Sequence, residues 1–324
     1  MSGDLILGID GGGSKVLVAL ADRSGKILRT SLGGGVNPMD NREWRSELER
    51  SIAPFRDQEN LVAVTAALPA YGEVAELSRH QEDAIRQQFP SVRTTVLNDV
   101  DAAHRGAFAG KPGILILSGT GSMAWARDAH GNPSRSGGWG DVIGDEGSSY
   151  WIGRLALNLV SQSIDGRCPP TALTDMVLDH LQIDKTDAMN GLAGWVSALK
   201  RPRAGIAALS RLVDRATQNN DLACQHLLER AADELAKLHS SIAPQLGEHA
   251  EWTYAGGTFA SAFLLAALEH RIGQAATAPK LPPIGGPLLA AAQSLGWALD
   301  DAWLGHTAAS ARAATTQTIN SMPQ

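Results

Sequence analysis

Two glycine-rich turns carry the first chemical signal in this chain: Asp10-Gly11-Gly12-Gly13-Ser14, and later Gly119-Thr120-Gly121-Ser122. Backbone N–H groups approach an anion closely only where no Cβ intervenes, so each turn suits a phosphate. The first turn alone is equally well explained as a plain hairpin. Its recurrence favours a polyphosphate gripped from two sides. Neither turn is a P-loop, because the order is Gly13-Ser14-Lys15, and no GxGxxG opens a helix nearby. Asp10 ends its apolar run beside the first turn. A carboxylate next to a triphosphate calls for a cation between them, and Mg²⁺ is the natural one, met directly or through water; capping of the turn is the alternative.

Asn98-Asp99 closes another apolar run and opens a helical pattern. Phosphoryl transfer to an alcohol needs a group that accepts the hydroxyl proton, and Asp99 suits that task. Asp101 is its rival, and an N-cap role for Asp99 is the structural alternative. The most unusual passage is Gly137-Gly138-Trp139-Gly140, followed by Gly144-Asp145-Glu146-Gly147-Ser148-Ser149. Two adjacent acids among glycines pack poorly, but a carboxylate in a rigid loop accepts hydrogen bonds from sugar hydroxyls well. Helix capping is the competing use. The nine histidines form no metal or triad pattern, and Cys168 and Cys224 lack metal-ligand spacing, so none is assigned a role.

The elements that must position these residues are legible from periodicity. Strands are expected at 5–10, 16–20 and 26–31 as an opening meander, then at 61–68 and 94–97, with helices at 41–55, 75–88 and 100–109. After the Lys111-Pro112-Gly113 break the pattern starts again: strand 114–117, glycine turn, strand 123–126, hairpin turn 128–132. Such a restart implies duplicated lobes. Helices follow over 151–160, 173–181, 206–216 and 222–246, then a strand at 252–255 and a helix at 260–270. A Pro/Gly connector spans 281–286 and a last long helix 287–295. The expected domains are therefore an N-terminal lobe 1–112, a C-terminal lobe 113–304 with a helical insertion and a last helix that packs back on the first lobe, and a small, polar, mobile tail 305–324.

Composition sets outer bounds. With 324 residues, 44% hydrophobic, 19% charged and a net charge of -6, the chain exceeds one ordinary core and carries no basic footprint for nucleic acid. No stretch approaches the ~20 apolar residues of a membrane span. The start lacks the features of a secretory signal, and two unpaired cysteines suit a reducing setting, so a cytoplasmic protein is expected.

Taken in order, GIDGGGSK (8–15), LNDVDAA (97–103), LSGTGS (117–122), GGWGDVIGDEGSSYWIG (137–153) and YAGGTFAS (254–261) resemble the N-acetylglucosamine and glucosamine kinase group of the BadF/BadG/BcrA/BcrD-type ATPases, within the hexokinase and actin-like superfamily. The resemblance implies an α/β, two-lobed actin-like ATPase (ribonuclease H-like) fold with an interlobe active-site cleft. It implies ATP and Mg²⁺ as cofactors and phosphorylation of the 6-hydroxyl of an amino sugar, N-acetylglucosamine before glucosamine. Other classes to weigh are a dehydratase-activating ATPase and a non-catalytic sugar sensor.

Carried over position by position, the resemblance implies Asp99 as base, with Asn37, Asn98 and Asp145 contacting the sugar. Ser122, Met123, Gly138, Trp139 and Gly140 would line its pocket. Gly11, Gly12, Gly13, Ser14, Lys15, Gly119, Thr120 and Gly121 would meet the phosphates, and Gly256, Gly257 and Ser261 the adenosine. Asn220-Asp221 stands where relatives often carry Gly-Asp, and the Pro-rich stretch before the last helix is atypical, so a missing or distorted final strand is expected there. A homodimer is also implied.

Overall fold

The computed structural model describes residues 3–13, 15–200, 202–247 and 250–320, with side chains described as far as residue 313. The chain divides into two compact units, one formed by Met1–Pro112 with Ala278–Gln324, the other by Gly113–Thr277.

In the first unit, β1 (Leu5–Gly11), β2 (Lys15–Asp22) and β3 (Ile27–Gly34) form the expected meander. Two parallel strands, β4 (Leu61–Leu68) and β5 (Arg93–Asn98), extend it into a sheet of order β3-β2-β1-β4-β5. Alternation sorts the side chains to two faces. Leu7, Ile9, Val16 and Val18 pack with Leu48 and Ile52 of α1 (Trp44–Ile52) and Ile85 of α2 (Ala75–Gln88). Ile6, Leu17, Ala19 and Ala63 face Leu288 and Leu289 of a late helix, Gly285–Ser294. That helix lies against α3 (Asp99–Phe108) with almost no clearance, since a Cβ on Gly286 would stand 1.9 Å from the Ala102 carbonyl oxygen.

The second unit repeats the opening. β6 (Gly113–Ser118), β7 (Ser122–Arg127) and β8 (Pro133–Gly137) are antiparallel neighbours, and β9 (Trp252–Ala255) joins parallel to β6, giving the order β8-β7-β6-β9. Among the described residues no fifth strand completes this sheet. Its helices are α4 (Ser149–Ile164), α5 (Ala172–His180), α6 (Ala188–Ala198), α7 (Pro202–Ala208), α8 (Ser210–Gln218), α9 (Leu222–Ile242) and α10 (Ala262–Ile272). The stripe Leu227, Leu228, Ala231, Ala232 and Leu235 buries α9 in the core with Ile114 and Trp252.

Two expectations need correction. The second unit ends at Thr277 rather than 304, because Leu281, Ile284 and Leu288 of the connector and of α11 (Gly285–Ser294) are buried in the first unit's core. Residues 305–320 are not an irregular tail: α12 runs Asp301–Asn320, and the rest of the expected tail lies outside the described residues. Its buried side chains Trp303, Thr307 and Ala311 recur every fourth residue, and Thr307 Oγ1 donates to the Gly25 carbonyl at 2.9 Å. Small polar residues around that stripe concealed a helix-forming pattern. Helix α6 was also unanticipated.

Candidate active site

β1, β4 and β5 run parallel, and their carboxyl ends line up: Asp10 is level with Ala67, and Leu68 with Asn98. Open α/β sheets bind ligands at such ends. Asp10 is partly buried there, and burial pushes its carboxyl up to about 6 against the opposing charge of Lys15. Asn98 caps α3. Its side chain accepts from Val100 N–H at 2.9 Å and donates to the Tyr71 carbonyl at 3.0 Å, so this expected sugar contact is engaged with backbone.

Because Asn98 takes the cap, Asp99 becomes the first helical residue. Its carboxyl accepts from Val100 N–H at 3.0 Å and is pushed up to about 7, mainly by burial and next by the negative charge of Asp10. Glu73 adds to the rise, and backbone hydrogen bonds oppose it. The rival Asp101 is buried and ion-paired to Arg105 at 3.1 Å, which removes it as a candidate base.

In the first glycine turn, Gly12 N–H donates to Lys15 O at 2.9 Å and Gly12 O accepts from Val36 N–H at 2.9 Å. Gly11 is required by packing, as its Cβ would lie 2.7 Å from Val36 Cγ2. Gly13 is roomier, with the Asp40 carboxylate 3.6 Å from its Cβ position. Ser14 lies outside the described residues. Asn37 folds locally, donating to Asp40 Oδ2 at 2.7 Å and accepting from Met39 N–H at 3.1 Å.

The second unit builds its own cluster. Gly119 O accepts from both the N–H and the hydroxyl of Ser149, at 2.8 and 2.7 Å, which fastens the second glycine turn to the start of α4 and leaves Thr120 exposed at its tip. Ser122 donates through N–H to Asp145 Oδ1 at 3.2 Å and through Oγ to Glu146 O at 2.6 Å. Asp145 is only 3% exposed and sits on left-handed backbone at φ 58°. Its other oxygen is ion-paired with Arg203, whose Nε is 3.7 Å from Asp141. Burial pushes the Asp145 carboxyl up; the Ser122 N–H and Arg203 pull it down.

Gly138 adopts φ 73°, and a Cβ there would strike Met123 Cε at 2.3 Å. Gly140 is left-handed too, at φ 82°. The loop so formed presents Trp139, 66% exposed, with the Arg135 guanidinium 5.8 Å from its ring centroid. Gly257 and Ser261 help line a hollow of about 530 Å³ together with Thr258, Arg211, Asp214 and Arg215. Gly256 answers a packing need instead, since its Cβ would lie 2.0 Å from Ser118 O. Asp221 caps α9 through Cys224 N–H at 3.0 Å and accepts from Thr171 Oγ1 at 2.6 Å, while Asn220, the residue that departs from the family pattern, stands on left-handed backbone at φ 63°. A larger hollow of about 730 Å³, lined by Arg230, Lys237 and Arg271, holds none of the motif residues. Arg203, Arg211 and Arg215 were not foreseen. Arg203 lies 58 positions from Asp145, and no local pattern announces it.

The sequence model of the BadF/BadG/BcrA/BcrD ATPase family matches residues 7–291. The chain belongs to that family. It is 32% identical over 237 residues to an N-acetylmuramic acid/N-acetylglucosamine kinase of Clostridium acetobutylicum, covering 71% of this chain and 76% of that protein. It is 28% identical over 278 residues to an N-acetyl-D-glucosamine kinase of Dictyostelium discoideum, covering 79% and 86%. A solved structure described as a candidate N-acetylglucosamine kinase of Chromobacterium violaceum superposes with a TM-score of 0.72 at 26% identity, covering 89% of this chain and 99% of that one. The fold is α/β and of the actin-like ATPase class, as the motifs led one to expect.

Proposed function

We propose that this family member is an ATP-dependent sugar kinase that phosphorylates the 6-hydroxyl of an amino sugar, N-acetylglucosamine first. The observation that carries the reading is the carboxyl of Asp99, released from capping by Asn98 and pushed up to about 7, near the pH at which a general base works best. The names of the relatives support the same acceptor class.

Each unit, taken by itself, has residues that suit one part of a magnesium nucleotide. Gly13 leaves room beside the first turn, and the hollow at Gly257 and Ser261 is large enough for an adenosine. Asp10 is the donor expected for a cation carried largely on the phosphates, and its burial beside a single opposing lysine leaves a site that a cation would satisfy. When bound, Mg²⁺ neutralises charge developing on the transferring group. Asp99 takes the hydroxyl proton as the new bond forms. Within the second unit, Asp145 would accept hydrogen bonds from the sugar and Trp139 would offer it an apolar face.

A dehydratase-activating ATPase is disfavoured. Cys224 is buried with its thiol pushed up to about 12, which suits a packed thiol rather than a cluster ligand. A pure sensor would have no use for an elevated base. A cytoplasmic setting and a homodimer accompany the proposal, and sedimentation checks the second. A coupled ADP-release assay with N-acetylglucosamine, glucosamine, N-acetylmuramate and glucose tests the activity. N-acetylglucosamine is expected to give the highest kcat/KM; preference for glucosamine would move the acceptor, and no acceptor-dependent release would sink the reading.

A further inference from the structure

We infer that Arg203 is a positioning residue for the acceptor sugar, holding Asp145 ionised and aimed so that its carboxylate can accept hydroxyl hydrogen bonds. The inference rests on the proposed role of Asp145 as a sugar ligand.

Asp145 has a difficult placement. It is 3% exposed, stands on a left-handed backbone residue and has Asp141 close to its ion-pair partner. A carboxylate taken out of water takes up a proton unless a cation or several N–H groups compensate it. One N–H, from Ser122 at 3.2 Å, reaches Oδ1. The other compensation, and the one cation beside the carboxylate among the described residues of this loop cluster, is the guanidinium of Arg203 at Oδ2.

The pair also has a fixed seat. A Cβ on Gly121 would lie 2.9 Å from Arg203 Nη2 and 2.9 Å from each Asp145 oxygen, so the ion pair rests against the second glycine turn. Arg203 extends to Asp141 on the same loop, at 3.7 Å. A planar guanidinium shared by two carboxylates fixes direction as well as charge, which an ammonium does less well. Two carboxylate oxygens offer about four acceptor sites, and the two contacts to Asp145 leave sites for a substrate's hydroxyls. Removing the guanidinium would let Asp145 protonate or turn, and the acceptor would be lost while the nucleotide hollow, lined by Arg211, Arg215 and Ser261, keeps its own residues.

The full-length chain with Arg203→Met or Arg203→Lys is assayed for kcat, acceptor KM and ATP KM, with thermal melts alongside. Arg203→Met is expected to raise acceptor KM about 10- to 100-fold, at or below the low end of the cost of breaking a buried charge pair because Arg203 is partly exposed, while ATP KM stays within about twofold. Arg203→Lys is expected to recover part of the loss. An unchanged acceptor KM overturns the inference. A fall in acceptor KM also overturns it, because Arg203 would then be an obstruction. A parallel rise of both KM values with a lowered Tm overturns it in favour of a strut. Should Arg203→Met fail to fold, Arg203→Lys carries the test, with an unchanged acceptor KM as the overturning result. Wild-type protein without acceptor-dependent ADP release sinks the kinase reading itself, whereas active wild type with indifferent variants sinks only this inference.

Discussion

The negative charge of Asp10, at the carboxyl end of β1, helps hold the carboxyl of Asp99, at the start of α3, at about 7. The two belong to elements separated in sequence by most of the first unit, and the parallel register of β1, β4 and β5 brings their ends together. The proposed base and the proposed cation donor are thereby electrically coupled. Loading a cation at Asp10 would weaken the repulsion and return Asp99 toward its ionised form.

Asp99→Asn is expected to lower kcat by about 10²- to 10⁴-fold, the usual contribution of a positioned base, with ATP affinity by calorimetry nearly unchanged. Near-normal turnover would move the base elsewhere. The same variant should gain stability at pH 8. The folded pKa of Asp99 lies above its unfolded value, so the folded state binds more protons between about 4 and 7, and stability falls as pH rises through that window. Removing the charge should return about 1–3 kcal/mol above pH 7 and nothing below pH 4, as read from paired thermal melts.

For the wild type, kcat/KM should climb as pH rises through about 7, because the ionised form of Asp99 is the active one. Asp10→Asn removes the neighbouring charge that raises Asp99, so the climb should begin at lower pH, on a lower plateau if Asp10 is the cation donor proposed above. A pH–rate midpoint identical to wild type would show that the two carboxyls do not communicate.

Asn98→Ala removes the acceptor for Val100 N–H and the donor to Tyr71 O. The expected cost is about 1 kcal/mol of stability, typical of a lost N-cap. Because the first turn of α3 carries Asp99, kcat should fall more than either KM. Loss of stability with unaltered kcat would mean that the cap serves the helix alone.

Ending the chain after Asp300 deletes α12 and exposes the Gly25 hairpin and the core beside Trp303. Trp303→Ala alone should cost about 3–5 kcal/mol by the usual scale for a buried aromatic. Urea melts would read both, and an unchanged midpoint would demote α12 to decoration.

Much of the fold was legible because its strands are short apolar runs ended by glycine or a polar residue, as at Asp10, Asn98 and Ser118. Both glycine turns and the Asp99 helix start could be read for the same reason: local chemistry marks them. Arg203 could not, since its meaning arises only when α7 is brought to a loop 58 positions earlier. Asn98 and Asp99 show a subtler limit. Either residue type caps a helix well, and only backbone geometry decides that the asparagine does so and leaves the aspartate for other work. Helix α12 escaped because Thr307 and Ala311 do not look like core residues until Gly25 and its hairpin are set against them.

The return of residues 278–320 to the first unit has a consequence for biosynthesis. Residues 113–277 include all strands of the second sheet and its helices, so the ribosome completes that unit while the first still lacks α11 and α12. Until the last helices emerge, the part of the first sheet that packs on them, with Ile6, Leu17 and Ala63, lacks that cover. The nascent chain must therefore carry an uncovered apolar surface through most of its synthesis, a window in which chaperone binding would be most needed.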